Sequence, residues 1–307
     1  VLRTPIRTRP KGLEDLLDGS LIAQVDRLDL ASRKVFAGKL RGERRSKRRG
    51  QSVEFADHRP YGVGDDIRHI DWNIYGRLDR LFVKLFLEEE DLALHLVLDC
   101  SESMDTGEPG KFLFVQRAAM ALGYIGLVNL NRVAATAMGP REGSIWSSIH
   151  DLRGRRRVHE LAAWICGLEP RGAFSFRQAA ERIALSRRGR GVMVLLSDGF
   201  FKEGYEDGLK RLAGRGYDLF VVQVLSPQEI DPPLTGDLRL KDVEDGDQAE
   251  VTISAPLLRW YGANLSAYIG ELSRFCARRE ISFVSVRSDL PVETLLLDTM
   301  RKRGLLT

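Results

Sequence analysis

Two apolar runs, each ending in an acidic turn, constrain this chain more than any other feature. Leu92-Ala93-Leu94-His95-Leu96-Val97-Leu98 leads into Asp99-Cys100-Ser101-Glu102-Ser103. Gly191-Val192-Met193-Val194-Leu195-Leu196 leads into Ser197-Asp198-Gly199. Short runs that are apolar at nearly every position suit central strands of a parallel sheet covered by helices on both faces. Stretches of helical periodicity separate the two runs, so the expected class is α/β with a doubly wound, mostly parallel sheet. Ligands of such open sheets bind outside the carboxyl ends of the strands. Asp99 and Asp198 are both expected on that edge.

The first turn carries one carboxylate and two hydroxyls at alternate positions, Asp99, Ser101 and Ser103. A tight loop can turn all three oxygens toward one point. A hard divalent cation such as Mg²⁺ or Mn²⁺ takes oxygen ligands in near-octahedral array and keeps several waters. The pattern therefore points to a metal left open on one side, with Asp198 in support. The plain alternative is that Asp and Ser are common turn residues.

Periodicity predicts a mostly helical Leu13–Phe36, with Leu16, Leu17, Leu21, Ile22, Val25, Leu28 and Leu30 on its apolar face. Strands are expected at Gln51–Tyr61 and Leu81–Glu89, with a short helix or turn over Ile67–Tyr75. The larger region then reads as strands 92–98, 131–138, 144–149, 191–197 and 217–225. Helices are expected at 111–127, 157–167, 177–187 and 205–214. A hairpin over Leu238–Ile253, a long helix Pro256–Arg279, a strand Ile281–Val286 and a helix Pro291–Lys302 complete the chain. Two parts are expected: residues 1–90, a helix plus a small β elaboration, and residues 91–307, the α/β domain.

A strand, Asp-x-Ser-x-Ser, helices, and a strand ending Leu-Leu-Ser-Asp-Gly resemble a von Willebrand factor A domain and its metal-ion-dependent adhesion site. Upstream, Val53-Glu54-Phe55-Ala56-Asp57-His58-Arg59-Pro60-Tyr61 leads to Gly64-Asp65-Asp66-Ile67-Arg68-His69-Ile70-Asp71-Trp72. Tyr75, Arg77, Leu81-Phe82-Val83-Lys84 and Glu88, Glu89 and Glu90 follow. With the late Gly236–Gly246 segment, this resembles the bacterial family called domain of unknown function fifty-eight, from about Gly38 to the C-terminus. The resemblance implies a partner, a MoxR-type AAA+ ATPase. It also implies a third loop that completes the metal site with a Thr. Phe174 falls at that place, and the adjacent Ser175 is the substitute ligand if the turn is shifted.

The segment Asp65–Trp72 allows two readings. Asp65, Asp66 and Asp71 with Arg68 and Arg77 form a fastening ion-pair network, with Trp72 filling a core gap through its ring and its N–H. Alternatively, Asp65, Asp66, Arg68, Asp71, Trp72 and Arg77 form a partner-binding face. Charge is uneven: residues 1–50 carry a balance of plus eight against a total of plus four. Arg41, Arg44, Arg45, Lys47, Arg48 and Arg49 can neutralise phosphates, but no aromatic residues stand among them to stack bases.

The three cysteines, Cys100, Cys166 and Cys276, have no close pair, which suits a reducing cytoplasm. No N-terminal signal pattern is expected from Val1–Lys11. Phe112–Leu130, interrupted by Gln116, Arg117 and Asn129, reads as a core helix running into a strand rather than a membrane span. The expected function is a non-enzymatic interaction module whose metal receives a partner carboxylate. A metal-dependent hydrolase on the same edge is the alternative, although no nucleophile–base pair is visible. A nucleic-acid-associated factor using residues 41–49 is the third.

Overall fold

Leu94, Leu96 and Leu98 belong to one hydrophobic cluster and Ala93 and Val97 to another, and all five are buried. Successive strand side chains point to opposite faces, so this strand is covered on both sides. The computed structural model describes residues 9–31, 54–62, 65–87, 92–186, 191–214, 216–242 and 246–307. Ten strands lie among them. These are β1 (Glu54–Pro60), β2 (Phe82–Leu87), β3 (Ala93–Asp99), β4 (Arg132–Met138) and β5 (Ile145–Leu152). The others are β6 (Gly191–Ser197), β7 (Tyr217–Leu225), β8 (Gly236–Lys241), β9 (Gln248–Ile253) and β10 (Ser282–Arg287).

The chain divides into two compact units, residues 1–41 with 92–307, and residues 42–91. The helical start of the chain, expected with the small β elaboration, thus falls in the large unit. The reason is burial: Leu16, Leu17, Leu21, Val25, Leu28 and Leu30 all enter the core on one side of the large sheet. The single helix expected from Leu13 is two short ones, Leu13–Leu16 and Gly19–Val25. Asp18 separates them, accepting from the Leu21 N–H at 2.7 Å as the cap of the second. Such a cap satisfies a donor that the first turn leaves unpaired.

The large unit holds a six-stranded sheet in the order β10-β7-β6-β3-β4-β5. All neighbours are parallel except β5, which runs antiparallel to β4 at the edge. The class is therefore mixed α/β with a mostly parallel central sheet. Helix Lys111–Val128 lies on one face, and 83% of it is buried in the fold. Among the described residues it is the one helix long and apolar enough to cross a membrane, and here it is the central core helix. Helices Phe176–Ser186, Glu206–Ala213 and Ala255–Ala277 contribute to the core on the other face. The late hairpin forms as β8 and β9, with Leu238 opposite Val251. The last helical segment, expected over Pro291–Lys302, forms over residues 292–302, with π-helical hydrogen bonding through Thr294–Met300.

From β3 the chain moves to β4 and β5 on one side, then returns to β6 and β7 on the other. The strand order reverses beside β3, and such a switch point leaves a crevice at the carboxyl ends. Register puts the acidic turns there. Leu98 pairs with Leu196 across β3 and β6, so Asp99 is level with Ser197 and one step from Asp198.

In the small unit β1 and β2 pair antiparallel, with a bulge between Phe55 and Asp57. Helix Trp72–Leu78 follows Asp71, whose carboxylate accepts from the Asn73 and Ile74 N–H groups. The same carboxylate meets His58 at 3.0 Å and Lys84 at 3.3 Å. The hydrogen bond from His58 is the largest of the effects that hold Asp71 down at a pKa of about 2.

Candidate metal centre at the sheet edge

The turn after β3 is pinned before any ligand is considered. The Cys100 N–H donates to Met138 O at 3.1 Å, and Cys100 O accepts from the Arg171 N–H at 2.8 Å. The Glu102 N–H donates to Gly172 O at 2.8 Å. These backbone bonds tie the first acidic turn both to β4 and to the loop carrying Phe174 and Ser175. The turn after β6 is held from β7, where Gln223 Nε2 donates to Asp198 O at 2.9 Å.

On this frame four of the five expected ligands converge. Asp99 Oδ1 accepts from the Ser101 N–H at 2.9 Å and Ser101 Oγ at 2.7 Å. Ser101 Oγ lies 3.0 Å from Ser103 Oγ, which donates to Asp198 Oδ2 at 3.0 Å. The two serines thus bridge the two carboxylates. Asp99 is 1% exposed, Asp198 2% and Ser101 3%. They open on a cavity of about 310 Å³ walled by Phe174, Phe200 and Phe201.

Ser175 lines the same cavity, and its hydroxyl is taken by Glu203, another residue of the cavity lining. Ser175 Oγ meets both oxygens of Glu203, at 2.8 and 2.9 Å, and Glu203 also takes the Arg177 N–H at 2.6 Å. Ser175 thus helps start helix Phe176–Ser186 and is not gathered with Asp99 and Asp198. Phe174 takes part in the apolar packing around Phe201. We expect Ser175→Ala to cost about 1 kcal/mol through the loosened helix start. It should leave Mn²⁺ affinity within about twofold of the parent, which melting and a metal titration on the same variant will check.

Three groups that the sequence did not single out complete the site. Ser197 Oγ donates to Asp99 Oδ2 at 2.6 Å. Lys111 Nζ lies 3.0 Å from Asp198 Oδ2 and 2.5 Å from Glu229 Oε1, with its side chain fully buried. Glu229 is fixed in turn by a capping box with Ser226 at the start of Pro227–Ile230. Lys111 opens a helix that reads as core, far in sequence from both partners. Only the cost of burying an unpaired ammonium hints that a lysine at 0% exposure must meet acids.

The electrostatics follow from this packing. Burial, then the charge of Asp198, raises the Asp99 pKa to about 6, against the opposing hydrogen bonds of Ser197 and Ser101. Burial works against the charged form of Lys111, but Asp198 and Glu229 outweigh it and the net shift is upward. The site thus contains two carboxylates in one desolvated corner, only one of them next to a cation.

The donor set is all oxygen: Asp99, Ser101, Ser103 and Asp198. Among the described residues no three His, Cys, Asp or Glu side chains gather as a metal-binding group, so hydroxyls and water must complete any coordination. That chemistry fits a hard cation such as Mg²⁺ or Mn²⁺. The unfavourable Asp99–Asp198 pairing is what such an ion relieves.

The small unit answers the second question raised by the sequence. Asp65 pairs bidentately with Arg59, at 2.8 and 2.7 Å, rather than with Arg68 or Arg77. Asp66 caps the short turn at Ile67–His69 and pairs with Arg68. Asp71 is taken by its own helix, His58 and Lys84. Trp72 does not fill a core gap: it is 63% exposed, as are Ile67 at 64% and Leu78 at 61%. Its position directly after the cap turns the ring outward from the first turn of the helix, and its partner there is Tyr75 in an edge-to-face contact. Arg77 is exposed in the last turn of the same helix. The basic cluster at 41–49 lies outside the described residues.

A model described as protein of unknown function DUF58 matches residues 57–286. Uncharacterized proteins of Mycobacterium tuberculosis and Mycobacterium bovis are 25% identical over 281 residues, covering 90% of this chain and 87% of each relative. Among solved structures, the chain is similar to BatB from Bacteroides thetaiotaomicron, at 14% identity and a TM-score of 0.45. That likeness covers 70% of this chain and 98% of the other. An aerotolerance-related membrane protein from Bacteroides fragilis is similar at 14% identity and a TM-score of 0.41.

Proposed function

The chain belongs to the family described as protein of unknown function DUF58, and on that premise we propose that it is a non-enzymatic interaction module. In this reading the large unit is a von Willebrand factor A-type domain. Asp99, Ser101, Ser103 and Asp198 are its adhesion-type site for Mg²⁺ or Mn²⁺. The bound ion supplies an electrophilic centre that takes a carboxylate from a partner protein. The partner is a MoxR-type AAA+ ATPase, for which this chain acts as adaptor or presents clients.

One observation carries the reading: two buried carboxylates, bridged by two seryl hydroxyls, at a sheet switch point that opens on a cavity. Each serine oxygen can donate its proton to a carboxylate and still offer a lone pair to an ion. Ser101 and Ser103 are bonded to each other and to Asp99 and Asp198, which favours their use as ligands over use as nucleophiles. The aromatic wall of Phe174, Phe200 and Phe201 gives a partner segment apolar surface beside the ion. The exposed Trp72 and Arg77 make the small unit a further contact surface in this proposal. All three cysteines are free thiols, with Cys100 and Cys276 buried, which suits the reducing cytoplasm assigned to the protein here.

Capture of the ATPase by immobilised full-length protein, with and without chelator, tests the proposal. We expect capture in Mg²⁺ and its loss with chelator or with Asp99→Asn, while the melting temperature of the variant holds. Capture unchanged by both treatments would refute the metal bridge.

A further inference from the structure

Lys111 is a buried cation for which the metal proposal has no use, and its position is specific. Its ammonium group touches Asp198 Oδ2, the same oxygen that accepts from Ser103. Asp198 Oδ1 is turned to the Phe200 N–H at 3.2 Å. The oxygen of Asp198 directed at the other ligands is therefore already paired with a positive charge. On its far side Lys111 is fixed by Glu229, which Ser226 holds through its N–H at 2.8 Å and its hydroxyl at 3.0 Å.

We infer that Lys111 is the built-in counter-cation of the site, competing with a divalent ion for Asp198 and holding its affinity down. This rests on the metal reading above. Charge balance shows the effect. Asp99, Asp198 and Glu229 with Lys111 sum to minus two when all are ionised, which one divalent ion neutralises. Without Lys111 the same carboxylates sum to minus three, and the ion is attracted more strongly. With Glu229 neutral, Lys111 belongs to Asp198 alone, and the ion is attracted less. Lys111 is thus a positioning residue, acting on the ion through Asp198 and not as a ligand. Because Glu229 belongs to the capped turn at Pro227–Ile230, the strength of the brake is set outside the cavity.

The test is Mn²⁺ titration, followed by the resonance of free Mn²⁺, on full-length parent, Lys111→Met and Glu229→Gln at pH 8. Lys111→Met should bind Mn²⁺ about tenfold tighter, the scale on which one close charge shifts a neighbouring ionic equilibrium. Glu229→Gln should bind more weakly than the parent. The opposite signs distinguish the inference from a merely structural role, which would lower the melting temperature of both and move affinity in neither direction. If Lys111→Met does not fold, weaker binding by Glu229→Gln still supports the inference and unchanged binding overturns it. Affinities of both variants within about twofold of the parent would overturn it while leaving the metal reading intact. Mn²⁺ bound by Lys111→Met but not by the parent would support it and overturn the metal reading of the native chain. Mn²⁺ bound by none of the three would overturn both.

Discussion

Asp99→Asn should abolish divalent-cation binding and leave the fold at least as stable as the parent. The asparagine keeps an acceptor for the Ser101 N–H and hydroxyl, which meet Asp99 at 2.9 and 2.7 Å. Its amide group replaces the second oxygen, which Ser197 approaches to 2.6 Å. The charge is lost, and with it the acceptor of the Ser197 hydroxyl, which must turn to accept from the amide instead. That charge is the main anionic contribution to the ion that is not already paired with Lys111, so affinity should drop about a hundredfold or more, affinity being tuned by ligand charge. In the metal-free protein the same charge is buried beside Asp198. Removing it should raise stability by about 1–3 kcal/mol at pH 8, since a buried charge near a like charge is disfavoured. Melting and Mn²⁺ titration on one preparation check both halves. A variant that binds Mn²⁺ like the parent would remove Asp99 from the site.

The second large effect is a pH dependence of unusual sign. The Asp99 pKa is raised from 3.8 to about 6. Between those values the folded protein holds a proton that the unfolded chain has released, so folding is favoured by acid. The contribution is full below 3.8 and lost as pH rises through about 6. For one proton that span amounts to about 3 kcal/mol, as an order of magnitude. Carboxylates held below their ordinary values, Asp71 among them, behave oppositely and in a more acid window. Denaturant unfolding of the metal-free protein between pH 5 and 7, above the window of those other carboxylates, should therefore show stability falling with rising pH, and Asp99→Asn should flatten the slope. Because the ion and the proton compete for one carboxylate, Mn²⁺ affinity should fall by up to about tenfold per pH unit below that pKa. A slope identical in parent and variant would mean that Asp99 does not carry it.

Which parts of this were legible in the residues has a physical explanation. Strands β3 and β6 are apolar at nearly every position because helices cover both faces, so their ends, and with them Asp99 and Asp198, could be read directly. The convergence of Ser101 and Ser103 followed from their alternation in a tight turn. The apolar stripe Leu16–Leu30 was readable as buried, but the sequence does not say into which core. Asp18 looked like one polar residue on a helix and is a cap that splits it. Trp72 carries the composition of a core residue, yet the first turn after the Asp71 cap presents it to solvent. Lys111, Glu229, Ser197 and Glu203 were not legible because long-range contacts give each its role. A lysine at a helix start, next to Gly110, looks the same whether it faces water or two acids.

An ion between the two acidic turns is the central expectation. A crystal of the full chain soaked in saturating Mn²⁺ at pH 8, with diffraction recorded at the manganese edge, addresses this most directly. An anomalous peak is expected within coordination distance of Asp99, Ser101 and Ser103, facing Asp198 and the cavity walled by Phe174, with Lys111 still buried behind Asp198. Well-ordered turns with no anomalous signal there, or a peak only elsewhere on the molecule, would contradict it.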